Sequence, residues 1–139
     1  MLTLWQLLLL FQLKHFLGDF PLQGRYMLGK FRPGWDFVLP LLAHVGVHAA
    51  GTFLLACSFG VRQALGLALF DATVHFAMDR LKAGKKYLGR FRALTPETAP
   101  FASAAQWRSN HFFWWTVGLD QGVHHLTHYA IIFWLLRSA

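Results

Sequence analysis

The sequence predicts an all-α fold, an integral membrane four-helix bundle with up-down-up-down topology. Three observations predict it. Of the 139 residues, 55% are hydrophobic and 17% aromatic against 14% charged, with a mean hydropathy of +0.38. That is richer in apolar side chains than a soluble domain of this length usually is. The apolar residues gather in four stretches of about the 20 residues that a bilayer core requires. Each stretch also carries a His or Asp pair four residues apart, the pitch at which side chains share one helix face.

The chain is expected to form a single transmembrane domain over residues 1–139. The first span covers about 1–20; it lacks a basic leader and a small-residue cleavage site, so it reads as uncleaved rather than as a signal peptide. Pro21 helps to end it, and Lys14 lies close enough to its end to reach the headgroups. Residues 21–36 form a loop with Arg25, Lys30, Arg32 and the turn signal Pro33-Gly34. The second span covers about 37–59, with Pro40 near its start, where a missing N–H costs least. Gly46 and Ala50 offer a small-residue step for close helix approach.

The short connection at Gly60 returns the third span, about 61–81, antiparallel to the second, with Ala64, Ala68 and Ala72 as another seam. A long loop, 82–111, opens with Lys82, Lys85, Lys86, Arg90 and Arg92. Within it, Thr95-Pro96-Glu97 reads as a helix start, giving a short surface helix over 96–109. The fourth span covers about 112–136, with Trp114, Trp115 and Trp134 at its ends as an interfacial belt would place them.

The charge of +7 does not describe a nucleic-acid-binding stripe. Ten of the thirteen Lys and Arg belong to, or flank, the two long loops, which places those loops in the cytoplasm and both termini outside, in a bacterial inner membrane. The lone Cys57 excludes a disulfide framework.

This topology brings the polar pairs to one depth. His15/Asp19 and His75/Asp79 lie late in spans one and three, while His44/His48 and Asp120/His124 lie early in spans two and four. At about 1.5 Å per residue all four fall within roughly two helical turns of one level. Any one histidine in a membrane helix is more often a packing residue than a ligand. Four pairs at one spacing and depth favour a metal site, with His15, Asp19, His44, His48, His75, Asp79, Asp120 and His124 as ligands.

Charged groups in spans cost roughly 2.5 to 3.5 kcal/mol each on insertion scales. Asp19 and Asp79 fall where headgroups would relieve that cost, whereas Asp71 and Asp120 do not. Five imidazoles and three carboxylates suit two divalent ions, Zn foremost, with Fe or Mn as alternatives. Gln12, Gln23, Gln121, His125 and His128 are placed to orient those ligands, with packing between helices as the plainer role. Asp71 and Asp120 are the candidate catalytic carboxylates, and Lys82 lies where it would meet an anionic substrate.

The motifs His15-Phe-Leu-Gly-Asp19-Phe-Pro-Leu-Gln23, His44-Val-Gly-Val-His48, His75-Phe-Ala-Met-Asp79-Arg-Leu-Lys82 and Leu119-Asp120-Gln121-Gly-Val-His124 resemble those of a family of small bacterial and phage integral membrane proteins, a domain of unknown function. The resemblance covers almost the whole chain and implies the family without implying an activity. A looser similarity, in style rather than alignment, is to small inner-membrane metal-dependent hydrolases. The doubled His124-His125 and the extra Asp71 depart from the family pattern and leave open which of His124, His125 and His128 is the ligand of span four.

The leading expectation is a membrane-embedded hydrolase that uses a metal-activated water on a lipid or lipid-linked ester or phosphoester near the cytoplasmic leaflet. The alternatives are a di-iron oxidoreductase of the desaturase kind and a non-catalytic metal-binding or transport protein. The expected partners are the bilayer, that substrate and further copies of the chain. Nucleic acid is not among them.

Overall fold

The structure is a computed structural model that describes residues 2–84, 86–91 and 101–137. Among these residues it is all-helical, with five α-helices and no strand. The helices are α1 (Leu4–Asp19), α2 (Val38–Ala56), α3 (Val61–Ala83), α4 (Ala104–Ser109) and α5 (His111–Arg137). The four long ones start and stop within three residues of the positions that the hydrophobic pattern predicts.

Local chemistry sets their ends. Thr3 and Gln6 form a capping box at the start of α1: the Gln6 amide donates to Thr3 Oγ1 at 3.3 Å and the Thr3 amide to Gln6 Oε1 at 2.8 Å. Gly60 turns the chain between α2 and α3 with φ of 127°, a conformation that L side chains rarely adopt. The Asn110 side chain accepts from the Phe113 amide at 3.3 Å and so caps α5. Of the short helix expected over 96–109, the described residues show α4, capped by Ser103 and Gln106. Thr95 and residues 96–100, like Lys85 and Arg92, lie outside the described residues.

α1 packs on α2 and α5, and α3 packs on the same two helices. Leu7 and Phe11 from the start of α1 meet Ala56 at the end of α2, Ala64 at the start of α3, and Ile131, Ile132 and Leu135 at the end of α5. α1 and α3 therefore run one way, and α2 and α5 the other. The apolar cluster plugs one end of the bundle and polar side chains fill the other.

Outside the apolar plug, polar side chains fill the interior and many large apolar ones lie on the surface. His15, His44, His48, Asp71, His75, Asp79, Asp120, His124 and His128 are buried, while Leu9, Leu39, Leu54, Leu69, Trp115 and Leu126 are each more than two-thirds exposed. One helical stretch, Val38–Phe59, is long and apolar enough to cross a membrane by length and composition, with a mean hydropathy of 1.7. α1 has only 16 residues, and the polar residues inside α3 and α5 dilute their hydropathy.

The two small-residue seams differ in use. Ala64 and Ala68 are buried against neighbouring helices, as expected. Gly46 and Ala50 face outward and bring no helix close; Gly51 does that work instead, because the Lys14 stem crosses it. A Cβ on Gly51 would meet Lys14 Cγ at 2.8 Å.

Candidate metal centre

The helical pitch puts each ligand pair on the inward face of its helix, and antiparallel packing brings the four pairs together. Asp19, His44, His48 and His75 place one ligand atom each within 4.8 Å of one another, and His75, Asp79 and His124 do the same. Both groups could hold a metal ion. All six residues come from the eight that the sequence singles out as ligands.

The spacing around His44 and His48 is that of a coordination shell. Ligand atoms about 2.0–2.1 Å from a tetrahedral ion lie about 3.3 Å from one another. His44 Nε2 is 3.3 Å from His75 Nε2, 3.4 Å from Asp19 Oδ1 and 3.3 Å from Asp79 Oδ2. His48 Nε2 is 3.2 Å from Asp19 Oδ1. His75 Nε2 lies 4.0 Å from Asp19 Oδ1.

Hydrogen bonding leaves part of this cluster unsatisfied. Two facing imidazole nitrogens, as in His44 and His75, can share one proton at most. His48 Nε2 and His124 Nε2 are buried and make no well-directed hydrogen bond. A buried polar atom left without a partner costs about 1–3 kcal/mol, which a cation among these nitrogens would relieve.

Gly18 explains the glycine of the first motif. It is buried against α2, and a Cβ there would lie 2.5 Å from His48 Nε2 and 2.6 Å from its Cε1. His48 reaches the centre because position 18 has no side chain.

His15 and Asp120 fall outside both groups. His15 Nε2 lies 3.2 Å from Asp19 Oδ2 and 3.0 Å from Gln121 Oε1. The Gln121 amide nitrogen is 3.3 Å from Asp19 Oδ2 and from Asp120 Oδ2, so it ties α5 to α1. Asp120 accepts from Lys82 Nζ at 2.5 Å, and its other oxygen is 3.3 Å from His124 Nε2. Gln12 meets His125 Nδ1 at 3.2 Å, beside the cluster rather than in it. Gln23 stands apart in the turn after α1.

Two lysines occupy places that the helical pattern does not reveal. Lys30, in the loop before α2, is buried and donates to Asp79 Oδ2 at 2.7 Å. Asp79 is therefore relieved by an internal cation and not by headgroups. Lys14 does not reach the headgroups either. Its Nζ turns inward, 2.6 Å from Asp71 Oδ2 and 3.2 Å from His128 Nε2, while Thr52 Oγ1 donates to the same Asp71 oxygen at 2.6 Å. The physical reason is that a carboxylate in a low-dielectric interior needs a counter-charge more than an ammonium group needs water. Neither lysine stands at helical pitch to its partner, so no local spacing announces the pair. Lys82, expected to meet an anionic substrate, has its Nζ 3.5 Å from Asp79 Oδ1, three residues earlier in the chain, a pairing not among the expectations from the sequence.

The bundle interior is thus layered. An apolar plug is followed by Lys14, Thr52, Asp71 and His128, then by the His/Asp centre, then by Lys30 and Lys82 at the end where the long loops lie. The model of a family described as Protein of unknown function (DUF3307) matches residues 7–138. The chain belongs to this family. The match takes in all four His/Asp pairs and the lysines beside them, so the layered interior lies wholly within the DUF3307 region. No curated protein and no solved structure matches the chain.

Proposed function

We propose that this DUF3307 protein is a four-span integral membrane hydrolase that holds two divalent ions, Zn foremost, and acts on a lipid or lipid-linked phosphoester near the cytoplasmic leaflet. The observation that carries this reading is a set of buried imidazole and carboxylate atoms at coordination-shell spacing inside a bundle whose large apolar side chains face outward. The outward Leu and Trp side chains support lipid as the surrounding medium. So does the exposed Thr73, whose hydroxyl donates to the Leu69 carbonyl of its own helix.

His75 belongs to both groups; we assign Asp19, His44 and His48 to one ion and His75, Asp79 and His124 to the other. Each set has three protein ligands and one open position, the pattern of catalytic rather than structural zinc. Divalent ions so held supply an activated water at neutral pH and polarise a phosphoryl oxygen. Of the two candidate carboxylates, each with one oxygen on a lysine, Asp120 is the proton acceptor, because its other oxygen lies beside His124 at the centre, whereas Asp71 lies a layer deeper. His15 and Gln121 hold the Asp19 carboxylate in place.

Charge favours an anionic substrate. Asp19, Asp71, Asp79 and Asp120 against Lys14, Lys30 and Lys82 leave one net negative charge, which two divalent ions would reverse. Lys30 and Lys82 stand at the loop end of the centre, where a phosphate would enter.

Elemental analysis of protein purified in mild detergent, wild type beside His75→Ala, tests the proposal. Two equivalents of metal, falling in a folded variant, are expected. A metal content near zero in the wild type overturns it, and iron with an oxygen-sensitive optical spectrum would instead favour an oxidoreductase.

A further inference from the structure

A cleft of about 460 Å³ opens beside the metal centre, between residues 31–37 and the end of α3, with Arg32, Arg80, Lys86, Trp35, Phe37 and Tyr87 in its wall. Three cations line it, and among the described residues none of the three forms an ion pair. The contrast with the interior is sharp, since Lys14, Lys30 and Lys82 each have a carboxylate.

The cleft is prepared for an anion. The Arg80 guanidinium lies over the Phe37 ring, 3.7 Å from its centroid, which fixes the plane of the fork and leaves its edge for a ligand. A guanidinium held in this way matches the oxygens of a phosphate in two-point contact. Trp35 and Tyr87 are exposed at the mouth, and both side-chain types favour the headgroup layer. A smaller groove shares Arg32 and Trp35 with the cleft and is lined further by Asp36, Tyr26, Pro40 and Leu39, and Leu39 belongs to the apolar exterior. The volume suits a headgroup and not a whole lipid, whose chains would run along that groove and the outer face.

We infer that this cleft binds the phosphate of an anionic phospholipid headgroup. The inference rests on the membrane placement proposed above and not on metal binding or hydrolysis. It also gives the centre a source of substrate. Arg80 follows Asp79 and Phe31 follows Lys30, so the wall of the cleft shares its backbone with the pair that closes the centre.

Native mass spectrometry of detergent-solubilised protein with phosphatidylglycerol or phosphatidylcholine tests this, with metal content measured on the same samples. Wild type should retain phosphatidylglycerol about tenfold better than phosphatidylcholine, the effect of one charge-assisted contact. Arg32→Gln/Arg80→Gln and the rim variant Arg32→Gln/Lys86→Gln should each lose that preference and keep their metal. Variants that retain phosphatidylglycerol as wild type does overturn the site. Equal retention of the two lipids, with inorganic phosphate bound in their place, overturns the lipid assignment. Loss of metal from wild type with the lipid preference intact would sink the hydrolase reading and leave this one standing.

Discussion

Lys14 reaches Asp71 across the bundle, with Nζ 2.6 Å from Oδ2, although 57 positions separate the two residues in the chain. The lysine passes over Gly51 and ends beside His128, so four helices meet at one buried charge pair. Removing one partner leaves the other charge uncompensated, which costs about 3–5 kcal/mol. Asp71→Ala should therefore destabilise the protein by that order, and Lys14→Met with Asp71→Leu should recover most of the loss. Unfolding in detergent by heat or denaturant measures both. Wild-type stability in Asp71→Ala would mean that the pair does not hold the helices together.

Gly18→Ala tests how His48 is seated. The added methyl would occupy the space of the imidazole, 2.5 Å from Nε2, so His48 must swing away from Asp19 while the helices stay packed. The expected result is helicity unchanged by circular dichroism and weaker metal binding. A second substitution, His48→Ala, should add little to it, because both act on the same ligand.

Division of the ligands between two ions makes a stoichiometric prediction. His48→Ala should lose one equivalent and keep the second, and His124→Ala should do the converse. Elemental analysis after gel filtration decides it. Loss of all metal from both variants would point to one shared ion.

Lys30 competes with any cation for Asp79, since its Nζ lies 2.7 Å from an oxygen that is also 3.3 Å from His44 Nε2. Lys30→Met removes the competing charge. Its metal affinity should rise, by about tenfold if the change is worth about 1.4 kcal/mol. Competition against a chromophoric chelator measures this, and a fall in affinity would show that Lys30 supports the centre instead.

The bounds of α1, α2, α3 and α5 were legible because hydrophobic runs, caps and turn residues act over a few positions. So were the pairs of α2 and α3, and His124 of α5, since a four-residue spacing sets one helix face without reference to the rest of the chain. The family match over residues 7–138 is to a domain of unknown function, the coarser part of the resemblance. What the sequence determined by itself was thus four helices and the side chains that each turns inward.

Only the tertiary structure decided which of those side chains meet. It grouped Asp19 with His44, His48 and His75, and it left His15 and Asp120 to brace them from the side. It also turned Lys14 and Lys30 inward, where a reading by position places Lys14 near the headgroups and Lys30 in a basic loop. A long flexible side chain reaches several ångströms in any direction, and the search for a counter-charge at low dielectric is settled by packing between distant segments. No periodicity along the chain encodes that outcome.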